Sequence, residues 1–501
     1  MNEYASDPLL DEEVNEAILK NDPNIIWAMI GTLATMDTKE YAINRSAIKA
    51  KFSGVISIAL LDKAVNEKRQ PEDIVPKSKE TPPNEVANSI LAKHDVINVD
   101  DTIYWYDSRK WVMTRASFLN YLALQADGEK TSSMNRRKEI ASFISSKIYK
   151  RDHKWRQIEM YEVPVANGVV DVRTMEVFQH RKEDYIQTCI PWEYKPTGQC
   201  PQLMRCLDTY FGGDHDGDAK IAALQEFFGY CLMPHARYKK ALFCLGESDC
   251  GKSTIPFLLR ILLGAENCTA VAVEDMNKPR ERAPLLGKLV NLLTELTSDA
   301  MIADGGFKTL VSTEEPILFD VKWGGVFMDI PICKHVIVGN SKPAINDRSN
   351  GTYRRLLLLH FKHVIPQSEQ DTTIWDKLRC EVDGILSWAL EGAQRLHRNG
   401  GRFTDPGAKE VSDYKREQNP FSQFVAEKCD AKPEESAFLH DIRTQFENWY
   451  GQKVRPQYLA SLIRAADYKI DTERSYVGPV RGFLVRGVQI ATDRRSTNYD
   501  G

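Results

Sequence analysis

The alternation of apolar and polar positions divides the chain into stretches of different texture. Residues 11–20, 25–36 and 56–66 carry apolar side chains at helical spacing, so roughly the first 90 residues read as mostly helical. Residues 70–83, QPEDIVPKSKETPP, are polar and proline-rich and read as a linker. From residue 95 short runs take over. Segments 102–107 and 110–113 predict a hairpin turning at Asp107, Ser108 and Arg109, and 116–124 and 140–148 predict helices. Residues 161–172, with Asn167 and Gly168 at their centre, predict two strands joined by a tight turn. A helical connector follows over 200–230.

Short apolar strands at 241–245, 289–293 and 334–338 then alternate with helices, which implies a parallel α/β sheet. Residues 374–395 read as helical, and Asp405, Pro406 and Gly407 mark a break. The last region predicts helices at 421–428, 436–450 and 456–466, then apolar runs at 477–484 and 487–491 that pair with each other. Three helices and a β-ribbon resemble a winged helix, and the tail from residue 496 reads as disordered.

Residues 240–263, KALFCLGESDCGKSTIPFLLRILL, organise the rest. An apolar strand leads into Gly246, Glu247, Ser248, Asp249, Cys250, Gly251, Lys252 and Ser253, with Thr254 next, and this fits G-x-x-x-x-G-K-[ST]. The two glycines let backbone N–H groups turn inward, where they join the positive helix N-terminus in an anion site. Lys252 supplies a charge for the β- and γ-phosphates, and the Ser253 hydroxyl can ligate Mg²⁺. Pro256 falls in the first helical turn and Gly264 at the helix stop. The expected ligand is a nucleoside triphosphate, ATP, with Mg²⁺.

Composition narrows the class. Across 501 residues, 42% are hydrophobic and 27% charged, ordinary for a globular protein of three or four domains. No apolar run approaches the ~20 residues of a membrane span, and the acidic start, MNEYASDPLLDEEVNEA, lacks a signal-peptide core. No membrane partner and a cytoplasmic location are the expectation. A net charge of −4 argues against a generally basic surface but leaves room for a basic channel. The ten cysteines include no C-x-x-C pair and read as reduced thiols, and the ten histidines include no H-E-x-x-H. The acidic loop GGDHDGD at 212–218 lacks the glycine placement and final Glu of a calcium loop and reads as solvated. The Lys- and Arg-rich stretch 136–156 fits a solvated helix face or a nucleic-acid contact.

Hydrolysis needs further groups downstream. In KLVNLLTE, at 288–295, an apolar strand ends at Glu295, where ligands bind in open parallel sheets. Glu295 is the candidate for Mg²⁺ support and water activation. Thr294 stands where a second acid is often found, so Asp249 or Glu247 could assist. The strand at 335–338 ends at Gly339 and Asn340, whose amide can position the attacking water. Arg354 and Arg355 precede another apolar strand; one of them fits an arginine finger reaching a neighbouring subunit's γ-phosphate. Between acid and amide lie Lys308 and a second hairpin with Lys322 and Trp323 at its tip, a cation and a ring suited to single-stranded nucleic acid.

In this order and spacing GESDCGKST, KLVNLLTEL, FKTLVS, KHVIVGN and TYRRLLLLHF resemble a superfamily 3 helicase of the poxvirus and phage/plasmid primase–helicase family. VANGVVD at 165–171, WEYKP at 192–196 and FFGYCL at 227–232 are similar to the domain that precedes the helicase in that family, and the likeness spans about residues 95–495. It implies an α/β chain with an AAA+ P-loop core at 240–365 and a mixed α+β region at 91–199 after the helical residues 1–90. A connecting and oligomerising segment at 200–239, a helical segment at 366–410 and a winged-helix domain at 411–495 complete the division. It further implies Lys252, Ser253, Glu295 and Asn340 as site residues, the finger at Arg354 or Arg355, and Lys322 and Trp323 as the pore hairpin. The implied activity is ATP-driven 3′→5′ translocation on single-stranded and forked DNA by a homo-hexamer, alongside a separate primase or polymerase. Cys250 departs from the family, which often has Asn there. Asp100 and Asp101 are adjacent and Asp171 is alone, so the carboxylate constellation of a primase is not expected. An AAA+ initiator or loader, or the helicase half of a primase–helicase, are the other readings; no nuclease segment suggests a packaging motor.

Overall fold

The computed structural model describes residues 11–490 except 53, 69–80, 116, 128–132, 297–300, 313, 323–324, 347–350, 431–433 and 478–479. It divides into two compact units, Met1–Val86 and Ala87–Gly501. The proline-rich stretch at 70–83 and the tail from 496 lie almost wholly outside the described residues.

The first unit is helical, with helices at Glu12–Lys20, Pro23–Ala28, Ile30–Thr35, Thr38–Lys51 and Ile58–Lys68. The single helix expected over 25–36 is broken at Met29. The sequence pattern missed Thr38–Lys51 because one of its two inward positions is polar. Asn44 is buried, donates to Glu40 O at 2.9 Å and accepts from Asp11 N at 3.0 Å. Val14, Ile26, Leu33, Ile48 and Leu61 form the core around it.

The second unit begins with two three-stranded antiparallel sheets, Val96–Val99, Thr102–Tyr106 and Trp111–Thr114, and Glu162–Val165, Gly168–Asp171 and Glu176–Phe178. Both predicted hairpins are there, and each gains one further strand, Val96–Val99 in the first and Glu176–Phe178 in the second. Part of the basic stretch is structural. Arg136 forks onto Asp127 at 2.6 and 2.8 Å, Arg156 pairs with Asp329, and the Trp155 ring packs 4.5 Å from Tyr104. Helices α1 (Pro201–Phe211) and α2 (Gly217–Leu232) follow. The acidic loop between them is not simply solvated. Lys220 is 2% exposed, and its ammonium holds Asp214 at 2.6 Å and Asp216 at 3.3 Å while donating to His360 O at 2.9 Å. A buried cation needs such partners, and the loop carboxylates provide them.

The central sheet contains β1 (Ala241–Gly246), β2 (Cys268–Thr269), β3 (Val290–Leu293), β4 (Lys334–Gly339) and β5 (Leu356–Phe361), in the order β5-β1-β4-β3-β2 with every neighbour parallel. β1 and β4 are buried at all their positions; β1 is a continuous apolar run, whereas β4 opens with the buried Lys334 and His335 before its apolar run. Register pairs Gly339 with Leu245 and Ile337 with Leu293, so the C-terminal tips of β1, β4 and β3 lie side by side. Helix α3 (Thr254–Leu263) follows β1, α4 (Asp304–Ser312) follows β3, and α5 (Val382–Arg398) packs along α2. Both α2 and α5 feed the same hydrophobic core as the sheet.

Near the C-terminus, helices Pro420–Lys428, Leu439–Tyr450 and Pro456–Ala465 surround a core of Phe421, Phe424, Phe446 and Ile463. The expected strand pairing is different. Residues Ser475–Val477 pair with Val480–Gly482 as a ribbon, whereas Leu484–Arg486 pairs with Ser436–Phe438 and Gln489–Ile490 with Cys429–Asp430. Residues 436–438 are therefore a strand and not the start of a helix. Gly487, at φ +85°, turns the chain away from the pairing expected of 487–491.

Candidate nucleotide site

The phosphate loop is shaped by two positive-φ glycines that nothing else could replace without displacement. A Cβ on Gly246 (φ +154°) would stand 2.3 Å from Phe361 O; on Gly251 (φ +87°) it would stand 2.3 Å from the Tyr210 ring. Asp249 is left-handed at φ +59°, and its carbonyl accepts from Ile365 N at 2.9 Å. Helix α3 then starts at Thr254 with no side-chain cap from Ser253, and its first N–H groups, of Thr254 and Ile255, donate to Gly251 O and Lys252 O of the loop at 3.1 Å.

Lys252 is 7% exposed and donates to Gly246 O at 2.8 Å and to Glu247 O. Cys250 is turned inward: it is 1% exposed, with Sγ 3.0 Å from Glu247 O and 3.3 Å from the Lys252 ammonium. It acts as a brace beneath the loop, in the same core as Cys244, whose thiol is pushed up by burial. Ser248, Asp249 and Ser253 are exposed on the loop's outer side.

One cavity of about 460 Å³ brings the separated motifs together. It is lined by Ser248–Ser253 of the loop, by Thr294 and Glu295 just past β3, and by Gly339 and Asn340 at the tip of β4. Glu295 and Asn340 are both exposed there. Two oxygen donors, the Ser253 hydroxyl and the Glu295 carboxylate, fit a small hard cation bound jointly with phosphate. Among the described residues no three His, Cys, Asp or Glu side chains cluster to hold a metal by themselves.

A second cavity of about 350 Å³ adjoins the first and shares Asp249, Gly251 and Ser253 with it. Its other walls include Arg205, Tyr210, Thr254, Ile374 and Trp375. Tyr210 OH lies 3.0 Å from Thr254 Oγ1, and burial pushes its phenol above the ordinary value. The Trp375 ring stacks on Phe257 with centroids 4.5 Å apart. Sequence reading missed this wall, since Tyr210 lies 44 positions from Thr254 and only the α1 packing joins them.

The remaining residues singled out in the sequence lie away from this cavity. Arg354 and Arg355 end a 3-10 turn, Tyr353–Arg355. Arg355 donates through Nη1 to Gly351 O and through Nη2 to Ser312 Oγ at 2.6 Å. Arg354 is exposed and has no hydrogen bond or ion pair among the described residues. Lys308 lies on α4, and Lys322 is exposed at the end of the hairpin Ile317–Val321 and Gly325–Asp329. Trp323 lies outside the described residues. Arg282 clamps the hairpin's first strand through Leu318 O at 2.7 and 3.0 Å, and Arg156 holds Asp329 at its other end.

No helix among the described residues is long and apolar enough to cross a membrane. All ten cysteines are free.

Two family models match. Residues 87–212 match the family described as D5 N terminal like, and residues 244–355 match a family of unknown function, DUF5906. The first match supports a relationship to viral and phage primase–helicases. Solved structures similar to this chain include the A form apo structure of the NrS-1 C terminal region, at 12% identity and a TM-score of 0.47, covering 82% of this chain and 100% of that one. Another apo structure of the NrS-1 C terminal region gives 12% identity, a TM-score of 0.45 and the same coverage. At that distance neither likeness assigns an activity.

Proposed function

We propose that this chain is an ATP-dependent replicative DNA helicase of the superfamily 3 AAA+ class, from a virus, phage or mobile element, acting as a homo-hexameric ring on single-stranded DNA. The observation that carries the reading is the shared cavity: Lys252 and Ser253, Glu295 and Asn340 come from three segments and meet at the C-terminal edge of one parallel sheet. The strand order supports it. β4 lies between the loop strand and the acid-bearing strand, so an amide at its tip stands between phosphate and acid.

In this reading Lys252 leaves its own loop carbonyls for the β- and γ-phosphates. Ser253 Oγ and Glu295 would hold Mg²⁺, which would neutralise phosphate charge when bound. Glu295 orients the attacking water and accepts its proton, and Asn340 fixes that water in line. The base and ribose enter the adjoining cavity between Tyr210 and Trp375. Arg354 of a neighbouring copy stabilises charge on the transferred phosphoryl group. Lys322, Trp323 and Lys308 grip DNA in the ring, and the C-terminal three-helix module is read as a winged helix. A separate primase or polymerase would partner the ring.

Hydrolysis of ATP and unwinding of a forked duplex test this directly. The wild-type chain should do both, and Lys252→Ala should lose hydrolysis by at least about a hundredfold. A wild-type chain that hydrolyses no ATP, or a Lys252→Ala chain of full activity, would sink the proposal. Hydrolysis with DNA binding but no unwinding would favour an initiator or loader.

A further inference from the structure

Helix α4 packs against two strands of the central sheet, bonds to the arginine turn and leads into the Lys322 hairpin. Phe307 is fully buried, with its ring 6.3 Å from Phe243 of β1 and 6.2 Å from His335 of β4, the strands that carry the phosphate loop and Asn340. Lys308 follows it. One turn on, Ser312 ends the helix, and the chain enters the Lys322 hairpin at Ile317.

The Ser312 hydroxyl is used in both directions. It donates to Lys308 O at 2.6 Å and accepts from Arg355 Nη2 at 2.6 Å. The first bond is the ordinary i−4 back-bond of a helical serine. The second is not local, since it crosses 43 positions to the turn that presents Arg354. With Nη1 fastened to Gly351 O at the start of its own turn, the guanidinium of Arg355 joins the Tyr353–Arg355 turn to the end of α4 through the single bond to Ser312. The exposed Arg354 is then held by its neighbour and not by contacts of its own.

We infer that Ser312 is a positioning residue for hydrolysis, whose hydroxyl couples DNA held at Lys308 and Lys322 to the placement of Arg354 through Arg355. The inference rests on the helicase reading, in which Arg354 acts on a neighbouring copy. A load on Lys308 acts one helical turn from the bond that fixes the turn. A load on the hairpin acts through the few residues that join it to Ser312. Either shifts the finger turn as a piece, because Arg355 makes the turn and the helix end one unit. Removing the hydroxyl leaves the DNA contacts and the ATP cavity in place and breaks the link, together with the local back-bond to Lys308 O.

The test uses the full-length chain, with ATP hydrolysis measured with and without single-stranded oligothymidylate. Ser312→Ala should lower the ratio of DNA-stimulated to basal rate by about fivefold or more, with the KM for ATP unchanged, and Ser312→Thr should restore the ratio. A purely structural serine would lower the melting temperature and both rates together and leave the ratio alone; that result, or a wild-type ratio in Ser312→Ala, overturns the inference. Should Ser312→Ala not fold, Arg355→Lys keeps the charge but loses the fork, and the same fall in ratio is expected; an unchanged ratio again overturns it. A wild-type chain that hydrolyses ATP without any response to DNA would instead overturn the reading beneath it, and the inference with it.

Discussion

Arg354 is exposed on its turn, while Arg355, one position later, is half-buried against Ser312 and Gly351. Only the first can reach another molecule without breaking bonds inside its own. Arg354→Ala should therefore leave the melting temperature unchanged and abolish hydrolysis, and mixing it with Lys252→Ala subunits should restore part of the rate. Arg355→Ala should cost about 1–3 kcal/mol in chemical denaturation, because a half-buried charge-assisted pair is lost. A destabilised Arg354→Ala beside a fully stable Arg355→Ala would reverse the assignment. The adjacency of the two arginines was plain in the sequence, but which one bonds at home depends on Ser312, 43 positions away. Cys250 was similarly opaque. It stands where the resembling family often has Asn, and its Sγ turns inward to Glu247 O and the Lys252 ammonium, beneath the loop.

Elements with a sustained apolar pattern were readable; those defined by distant partners were not. The runs that became β1, β3 and β4 are mostly apolar because both faces of a parallel sheet are covered, with Asn291, Lys334 and His335 as their buried polar exceptions. The C-terminal strands are two or three residues long, and their pairing is chosen by the helices around them. The α2–α5 contact is another feature without a local signal. Gly229 and Gly392 let the two helices approach until a Cβ on Gly229 would lie 2.2 Å from Ala393 N, and one on Gly392 2.1 Å from Gln225 O. Helix propensity alone would make Gly392→Ala stabilising by about 1 kcal/mol. Overpacking against backbone should win, since backbone atoms cannot rotate away, and the variant should lose about 1–3 kcal/mol net. Thermal unfolding decides the sign; a higher melting temperature would mean that the helices separate without penalty.

Across the whole sheet the two ends differ in chemistry. The C-terminal edge is wet and polar, with Ser253, Glu295 and Asn340 open to the cavity. The opposite end carries buried bases. Lys334 opens β4 at 1% exposure, with its ammonium on the carbonyls of Met233 and His235 and its pKa lowered by burial to about 8. His335 beside it is lowered to about 4, and His235 to about 3, in each case by burial first and by Lys334 next. The folded chain therefore keeps both imidazoles neutral through mild acid, whereas the unfolded chain protonates them as pH falls below about 6.5. With more protons on the unfolded state, stability is full above that pH and falls as pH drops toward the folded values. By pH 5 His335 alone should account for about 2 kcal/mol. Melting temperature measured from pH 7.5 to 5 should decline, and His335→Asn should flatten the decline. Activity lost in that range should follow unfolding and return on neutralisation, because the groups responsible lie at the far end of the sheet from the phosphate loop. A melting temperature that holds steady to pH 5 while hydrolysis falls would put the titrating group in the nucleotide cavity instead.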